Sequence, residues 1–364
     1  MTGQARPDLP LVGTSDDREW PENRLPGGAH ARDAYTRCMQ IFALNASRAF
    51  GDRVATALGV PLSEHEEREF EDGEHKARPL VSVRGLDVYV IQSLYADPEQ
   101  SVHDRLCRLL FFLGAVVDGG AARVTAVIPY LAYARKDRQT KPRDPVTTRY
   151  MARLIEAMGV DAVMTLDVHN LVAFQNAFRC RSHHLDTRRL FADHVAGRLG
   201  DAPVVVASPD PGGVKRAQLF RETLETSLAR SVGFAFMDKR RSAGRVSGNL
   251  LMGEVAGAQV LVVDDLISTG HTLLRAAEAC LEHGAATVRG VAAHGLFTGD
   301  AADVVADGRI EGFTLSDTVP PFRLPAALIR ARIDEVSAAP LFAEAIRRCH
   351  RDGSLVELLE GPPG

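Results

Sequence analysis

Short apolar runs rich in β-branched residues alternate with amphipathic stretches along most of the chain. The runs have the length of buried strands, and we predict strands at Asp87–Ser93, Arg123–Pro129, Ala162–Asp167, Val204–Ser208, Val232–Met237, Gln259–Asp264 and Thr287–His294. The stretches between them have helical periodicity, and we predict helices at Val102–Val117, Thr147–Met158, Thr187–Leu199, Leu273–His283 and Leu341–Arg351. Continuous apolar strands separated by helices indicate an α/β fold with parallel sheets covered on both faces.

The bulk properties exclude several classes of protein. A chain of 364 residues suggests two domains, preceded by an extension (1–35) that lacks periodicity and that we expect to be flexible. Lys and Arg number 43 against 47 Asp and Glu, so no general nucleic-acid surface is indicated. We find no apolar run of membrane-spanning length and no signal peptide. The 5 scattered cysteines are typical of reduced thiols, and we expect a cytoplasmic protein.

Polar side chains follow three of the predicted strands at the point where each strand ends. His169 follows Ala162–Asp167, Asp210 follows Val204–Ser208, and an aspartate pair ends Gln259–Asp264. Ligands of open parallel sheets bind beyond the carboxyl ends of the strands. The coincidence of three such ends therefore predicts a site for a metal ion and a phosphate.

The segment Val260–Thr272 indicates a strand, a small hydroxylated turn and the beginning of a helix. Backbone N–H groups and the helix dipole hold phosphate in such a turn, and the carboxylates of Asp264 and Asp265 suit a sugar's hydroxyls or Mg²⁺. The alternative is an ordinary turn in which Ser268 or Thr269 caps the helix. We favour the phosphate site because two carboxylates at a buried strand end are costly without a ligand or partner.

His169 and Asp210 together could hold one Mg²⁺, although this ion prefers oxygen ligands and keeps several waters. The alternative for His169 is a hydrogen-bonded turn residue. Two glycines follow Asp210, at positions 212 and 213, and they allow the backbone to approach a ligand closely.

A basic run, Asp238–Arg241, leads into the small and polar segment Ser242–Gly248, which we predict to be a mobile loop. Lys239 and Arg241 at its base could neutralise charge on transferring phosphates. The alternative is a solvated basic edge.

Two further segments suit a nucleotide. Phe70–Glu74 places an aromatic residue beside an acidic turn, and Arg135 lies in a charged segment after the Arg123–Pro129 strand. An aromatic ring can stack on a base, and an arginine can bind phosphates. Neither segment is informative alone.

Taken together, these segments resemble the ribose-phosphate pyrophosphokinases from about Met39 to about Leu358. The resemblance rests on Phe70–Glu74, Ser82–Gly85, Val124–Asp137, Asp167–His169, Ser208–Arg216, Lys239–Arg241, Val260–Thr272 and Ala343–His350. In that family the anomeric hydroxyl of ribose 5-phosphate attacks the β-phosphorus of ATP, and AMP leaves. The resemblance thus implies an enzyme that makes phosphoribosyl pyrophosphate.

The resemblance also implies a role for each residue of the site. Lys239 and Arg241 are the catalytic pair, on a loop that closes over the reacting phosphates. The ATP-binding residues are Phe70, Asp72, Glu74, Arg135 and His169. The ribose 5-phosphate-binding residues are Asp210, Asp264, Asp265, Ser268, Thr269, Gly270, His271 and Thr272. His169 and Asp210 are the ligands of Mg²⁺, the implied cofactor.

The implied architecture is two tandem phosphoribosyltransferase-like domains, each a mainly parallel sheet flanked by helices. They span 36–185 on the ATP side and 186–330 on the ribose 5-phosphate side, and a final helix in 331–364 packs back on the first domain. The implied partners are ATP, ribose 5-phosphate and further copies of the chain. In this homo-oligomer, a neighbouring subunit's Phe70–Glu74 completes each site.

The phosphate loop departs from the common family pattern. Ser268 makes it similar to the archaeal form, and His271 stands where a glycine is usual. The imidazole either points outward, which we favour, or lies beside the 5-phosphate, where its charge would make binding pH-dependent. Lys136 replaces a common glutamine.

Two other functions compete with the enzyme. One is a non-catalytic regulatory homologue of the same fold, which the presence of Lys239, Arg241, His169 and Asp265 disfavours. The other is a phosphoribosyltransferase, which shares the paired-aspartate phosphate loop. Such enzymes have one such domain and lack the Phe70–Glu74 turn, so the length of the chain disfavours this alternative.

Overall fold

The computed structural model describes residues 39–242 and 245–360, and it describes their side chains outside 239–249. The predicted extension, 1–35, lies outside these residues. Two parallel sheets organise the chain, one built from residues 39–185 and the other from residues 204–336.

The first sheet has five parallel strands in the order β1-β4-β5-β6-β7. They are β1 (Met39–Ala43), β4 (Asp87–Ile91), β5 (Arg123–Ile128), β6 (Ala162–Leu166) and β7 (Arg181–Leu185). Every residue of β4 and of β6 is buried, because helices cover both faces of the sheet. A separate antiparallel hairpin joins β2 (His65–Glu69) to β3 (His75–Pro79).

The helices of this half are α1 (Arg48–Leu58), α2 (Val102–Asp118), α3 (Thr147–Ala157) and α4 (Leu171–Ala177). The start of α2 is fixed by a capping box, in which Ser101 accepts the N–H of Asp104 and the Asp104 carboxylate accepts the N–H of Ser101. The apolar face of α2 supplies Leu109, Phe112 and Leu113 to the core of this half.

The second sheet has seven strands in the order β10-β9-β8-β11-β12-β13-β14, antiparallel only between β9 and β10. They are β8 (Val204–Ser208), β9 (Gly233–Ser242), β10 (Arg245–Met252), β11 (Gln259–Ile267), β12 (Thr287–Gly295), β13 (Phe313–Ser316) and β14 (Ile333–Val336). Its two faces carry separate apolar clusters, one around Val262 and the other around Val263. Successive residues of a strand point to opposite faces, so β11 contributes to both.

The helices of this half are α5 (Arg188–Ala196), α6 (Val214–Leu228), α7 (His271–Glu282), α8 (Ala301–Ala306) and α9 (Ala326–Arg332). Two more follow β14: α10 (Ala339–His350) and α11 (Leu355–Glu360). Helix α10 packs on α1, with the rings of Phe342 and Phe50 edge to face at 5.5 Å. The chain thus returns to its first half.

The structure agrees with the predicted α/β fold of mainly parallel sheets flanked by helices. The predicted boundary at 185 coincides with the end of β7, yet both sheets belong to one compact unit, Cys38–Gly364. The two-domain division therefore stays a prediction. Among the residues described, no helix combines the length and the apolar character that a membrane span requires.

One prediction of secondary structure is wrong. We predicted a mobile loop at Ser242–Gly248, but β9 extends to Ser242 and β10 begins at Arg245, and the two strands pair antiparallel. The polar composition indicated a loop, but the pairing of two strand backbones does not require apolar side chains.

Candidate active site

The loop that follows β6 meets the carboxyl end of strand β11 between the two sheets. The Nδ1 atom of His169 lies 2.9 Å from the Oδ2 atom of Asp265, and the two form a hydrogen bond. Asp265 is buried, whereas the His169 side chain is 42% exposed. The structure thus brings together two of the strand ends that the sequence singles out.

The His169–Asp265 contact changes the ionisation of both groups. Burial alone would raise the pKa of Asp265, but the His169 hydrogen bond and the charge of Arg216 hold this pKa well below its usual range. The hydrogen bond to Asp265 raises the pKa of His169, against the opposing effect of burial. The pair therefore favours a carboxylate beside an imidazole that readily accepts a proton.

Asp264 has the opposite electrostatic environment. Burial and the adjacent negative charge of Asp265 raise the pKa of Asp264, because two neighbouring carboxylates resist ionising together. Among the side chains that the structure describes, the nearest cation is Arg216, whose Nη1 atom lies 3.8 Å from Asp264 Oδ1. This carboxyl group would gain from a bound cation or a hydroxyl partner.

Arg216, in the first turn of α6, contacts both the end of β11 and the loop after β6. Its Nη1 atom donates to Asp265 Oδ1 at 2.9 Å. Its Nη2 atom donates to the carbonyl oxygens of Val168 at 3.2 Å and His169 at 3.3 Å. One guanidinium group therefore links the end of β11 to the loop after β6.

A small cavity lies beside this network. Its lining residues are Tyr130, Leu131, Ala134, Arg135, Leu166, Asp167, Val168, His169, Asp265, Leu266 and His294. Two of the residues predicted to bind ATP, Arg135 and His169, line this cavity. At its back, burial lowers the pKa of His294, and this ring bonds to the Leu166 carbonyl at 3.0 Å.

The turn after β8 is organised by short-range hydrogen bonds. Asp210 Oδ1 accepts the N–H of Gly213 at 3.0 Å, and Ser208 Oγ donates to the Asp210 carbonyl at 2.7 Å. A Cβ atom at position 213 would lie 2.8 Å from Ser208 Oγ, so the turn requires glycine there. The predicted role of Asp210 as a metal and ribose ligand stays a prediction.

The predicted phosphate loop occupies the turn between β11 and α7. Gly270 precedes the helix with φ +82°, and a Cβ atom there would lie 2.7 Å from Val304 Cγ1. The Oγ atom of Ser268 is 2.9 Å from Thr298 Oγ1. His271 pairs with the exposed Asp300 through Nε2 at 2.8 Å.

The Phe70–Glu74 segment forms the turn of the β2–β3 hairpin. Asp72 Oδ1 accepts the N–H of Glu74 at 3.1 Å, and the Phe70 ring is 41% exposed. Phe70, Asp72 and Glu74 are described residues that do not line the cavity with Arg135 and His169. One chain alone does not bring the predicted ATP-binding residues together at that cavity.

The predicted catalytic residues, Lys239 and Arg241, have side chains that lie outside the described part of the structure. Their backbone belongs to β9, where Lys239 pairs with Asn249 and Arg241 pairs with Val246. Their catalytic role stays a prediction.

Comparison with known proteins identifies the family. Residues 39–159 match the N-terminal domain of ribose phosphate pyrophosphokinase, and residues 246–360 match the phosphoribosyl synthetase-associated domain. The ribose-phosphate pyrophosphokinase of Caldanaerobacter subterraneus subsp. tengcongensis is 39% identical over 326 residues, which are 89% of this chain and 98% of that protein. The chain belongs to the ribose-phosphate pyrophosphokinase family.

Two further members of this family are similar to the chain over most of its length. The ribose-phosphate pyrophosphokinase of Granulibacter bethesdensis is 36% identical over 88% of this chain and 100% of its own length. The crystal structure of phosphoribosylpyrophosphate synthetase from Mycobacterium smegmatis superposes with a TM-score of 0.77 at 30% identity, over 86% of this chain and 99% of that one. The resemblance and the α/β fold class of mainly parallel sheets flanked by helices are confirmed.

Sequence reasoning about this pyrophosphokinase-family chain gave no role to Arg216 or His184. His184 Nε2 accepts the N–H of Val168 at 3.3 Å and thereby holds the loop that carries His169. Its position on the edge strand β7 gives no signal in the sequence, because only the paired strands bring it to that loop. The sequence feature that could have pointed to Arg216 is its position soon after the Asp210–Gly213 turn.

Proposed function

We propose that this chain is an active ribose-phosphate diphosphokinase that transfers the pyrophosphoryl group of ATP to the anomeric hydroxyl of ribose 5-phosphate. The products are phosphoribosyl pyrophosphate and AMP. The observation that carries the proposal is the contact between His169 and Asp265. It joins the predicted ATP loop to the predicted ribose 5-phosphate loop in a chain that matches nearly whole ribose-phosphate pyrophosphokinases.

In the proposed reaction the anomeric oxygen forms a bond to the β-phosphorus of ATP. The bond from that phosphorus to the oxygen bridging the α- and β-phosphates breaks, and AMP leaves with this oxygen. The sugar hydroxyl loses its proton. Lys239 and Arg241 are the proposed partners of the charge on the transferring phosphates, a role in which one arginine contributes about 10³ to 10⁵ in rate in related phosphoryl transfers.

The ribose 5-phosphate half is built on β11 and α7. Helix α7 has 12 residues, and its first N–H groups together with the Ser268–Thr272 turn offer donors to the 5-phosphate. Asp264 and Asp210 are the proposed partners of the ribose hydroxyls. Asp265 is also in this set, although its two oxygens already receive His169 and Arg216.

The ATP half combines Arg135 and His169 with the Phe70–Glu74 turn. This turn does not line the cavity of its own chain, which supports a homo-oligomer in which a neighbouring subunit supplies it. Mixing two inactive variants, Asp72→Ala and Lys239→Ala, tests this arrangement. We expect activity to return in the mixture, since some sites then receive both intact elements. Failure to recover activity after subunit exchange argues for sites built from one chain.

The residues present fit a Mg²⁺ ion. A Nδ1–H group donated to Asp265 leaves the Nε2 lone pair of His169 for a metal, as in many metal-binding histidines. Burial and the neighbouring charge of Asp265 raise the pKa of Asp264, so a bound cation would favour the ionised form of this carboxyl group. No group of three His, Cys, Asp or Glu within the described ranges forms a closed metal cluster, so water and substrate oxygens would complete the shell.

His169 and Asp210 would hold this ion, and when bound it would neutralise phosphate charge and help align the two substrates. The residues of the chain would do the remaining work. Asp265 orients His169, and the loop amides orient the 5-phosphate. Closure of the site would exclude water and protect ATP from hydrolysis.

The deciding experiment is AMP formation by the purified protein with ATP, ribose 5-phosphate and Mg²⁺. We expect equal amounts of AMP and phosphoribosyl pyrophosphate, and no AMP when ribose 5-phosphate or Mg²⁺ is omitted. Absence of AMP under all conditions would sink the enzyme and favour the non-catalytic regulatory homologue. Consumption of phosphoribosyl pyrophosphate with a free base would instead indicate a phosphoribosyltransferase.

A further inference from the structure

Arg216 occupies a position between the two halves of the proposed site. Its side chain is 22% exposed and donates to three acceptors, two on the loop after β6 and one on strand β11. Two of the acceptors are the carbonyl oxygens of Val168 and His169, and the third is the Asp265 carboxylate. The acceptors lie 47 to 49 positions away in sequence on either side of the arginine.

We infer that Arg216 is a positioning residue that holds the His169 loop in register with the carboxylates of β11. The inference rests on the proposed function and deepens it, because it names a residue on which the alignment of the two substrates depends. Arg216 touches neither proposed substrate in this role. It acts through His169 and Asp265.

The shape of the side chain explains why an arginine stands here. A guanidinium group is planar and presents five N–H donors in a fixed fork, so it can serve a carboxylate and two carbonyl groups at once. A lysine ammonium has three donors at one point and cannot span the same acceptors with this geometry. Neutralising Asp265 alone would require only the contact with its carboxylate.

The loop that Arg216 holds is under local strain. Asp167 has φ +38°, a left-handed conformation that is unusual for a residue other than glycine. Its carboxylate accepts the N–H and the hydroxyl of Thr187 at 2.9 Å and 2.5 Å. His184 accepts the N–H of Val168. Such a conformation persists when surrounding contacts over-determine it, and Arg216 supplies the contact from the β11 side.

A purely structural ion pair is the competing explanation for Arg216. Removing one partner of a buried ion pair destabilises the fold because the other charge is left unpaired. Such a loss lowers the melting temperature and the amount of active protein. It does not make the effect on turnover depend on whether His169 is present.

The test measures kcat and both KM values for Arg216→Lys, with Arg221→Lys as the matched control on the same helix. Arg221 lies 3.9 Å from Glu225 and contacts neither loop in the described structure. We expect Arg216→Lys to lower kcat by on the order of 10²-fold, as for a misplaced catalytic group, and the control to stay within about two-fold. Unchanged turnover in a folded Arg216→Lys protein overturns the inference.

A double-mutant cycle separates positioning from stability. In a His169→Ala background we expect Arg216→Lys to cost less than about five-fold in kcat, since residues that act as a unit are strongly non-additive. Equal costs in both backgrounds contradict the inference. Arg216→Gln serves as a second variant if the lysine protein does not fold, and its melting temperature is measured alongside.

The design also distinguishes failure of the inference from failure of the proposed function. A wild-type protein that releases no AMP contradicts the function, and the same cycle is then run on the dissociation constant of ATP measured by calorimetry. Coupling between Arg216 and His169 in that constant supports the positioning role. If the effects of the two substitutions on the dissociation constant of ATP are additive, the positioning role is overturned, whichever function the chain has.

Discussion

The Nδ1 atom of His169 lies 2.9 Å from the Oδ2 atom of Asp265, although the two residues are 96 positions apart. His169 follows β6 of the first sheet, whereas Asp265 lies in β11 of the second. Asp265 is held on its other oxygen by Arg216. The carboxylate therefore fixes the orientation of an imidazole that belongs to the opposite half of the site. The pKa of His169 should be measurable in the protein without any substrate.

We expect Asp265→Asn to lower the pKa of His169, because the hydrogen bond to the carboxylate is the main cause of its raised pKa. The imidazole protons of the substrate-free protein report this pKa in an NMR titration. An unchanged midpoint would show that Asp265 does not control the ring.

The same pair makes a prediction about stability. The folded-state pKa of His169 is raised, so its contribution is complete below the unfolded pKa and is lost as the pH rises through the folded pKa. This part of the melting-temperature difference between wild type and Asp265→Asn should therefore shrink toward alkaline pH. A melting-temperature difference that grows as the pH rises through the folded-state pKa of His169 would contradict this prediction. The Arg216–Asp265 contact contributes at both ends of the window.

Gly270→Ala should destabilise the protein and weaken ribose 5-phosphate binding. An alanine with positive φ costs about 1–2 kcal/mol, and the new Cβ atom would also lie 2.7 Å from Val304 Cγ1. Gly257 has φ +69° with no heavy atom within 4 Å of a Cβ, so Gly257→Ala is the matched control. Urea unfolding should show that Gly270→Ala lowers the free energy of unfolding by at least about 1 kcal/mol more than Gly257→Ala does. Equal losses would mean that Val304 gives way without cost.

His271→Gly should leave the KM for ribose 5-phosphate nearly unchanged at neutral pH. The imidazole pairs with Asp300 through Nε2, and both side chains are about half exposed. Asp300→Asn removes the charge of the partner and should likewise leave this KM nearly unchanged. A several-fold change in KM in either variant would place the imidazole beside the 5-phosphate during catalysis.

The sequence predicts the strands that are buried on both faces. Val204–Ser208 was predicted with its observed bounds, because all five residues are buried and the run is apolar except at its end. By contrast β7 reads Arg-Ser-His-His-Leu at the edge of its sheet. Its pairing with β6, and not its own hydrophobicity, makes it a strand.

The candidate site was predictable in part for the same reason. Ligands of parallel sheets bind beyond the carboxyl ends of the strands, so the sequence singles out His169 and Asp265. It does not predict their contact, because β6 and β11 belong to different sheets. Arg216 could not be assigned in this way, since its acceptors lie on loops far away in sequence. On a helix, an arginine without a visible partner is read as a surface residue.

Asp87→Asn should destabilise the junction between the first sheet and helix α10. Asp87 accepts Arg123 Nε at 2.8 Å, Tyr89 Oη at 3.0 Å and His350 Nδ1 at 2.6 Å. Leaving the partly buried Arg123 without its carboxylate should cost about 3 kcal/mol in the free energy of unfolding. Asp52→Asn, which alters an exposed ion pair with Arg48 at 3.9 Å, should cost less than about 0.5 kcal/mol.

The Asp87 prediction has a pH dependence of known sign. Burial alone would raise the pKa of Asp87, but hydrogen bonds from Arg123 and His350 give a net lowering of that pKa. The stabilisation is thus present above the unfolded carboxyl pKa of about 3.9 and is lost as the pH falls through the folded value. The gap between wild type and Asp87→Asn should close below about pH 4. A gap that persists in acid would show that packing, and not charge, holds α10 in place.

Lys239→Ala should abolish turnover while ribose 5-phosphate still binds. If Lys239 acts on charge that develops as the pyrophosphoryl group transfers, its loss removes an interaction made mainly in the transition state. We expect kcat to fall by at least about 10³-fold, with a several-fold change at most in the dissociation constant of ribose 5-phosphate measured by calorimetry. Arg240→Ala, between the two members of the Lys-x-Arg pair on β9, is the matched control and should keep most of the activity. Parallel losses of turnover and binding in Lys239→Ala would instead assign this lysine to ground-state binding or to folding of the β9–β10 hairpin.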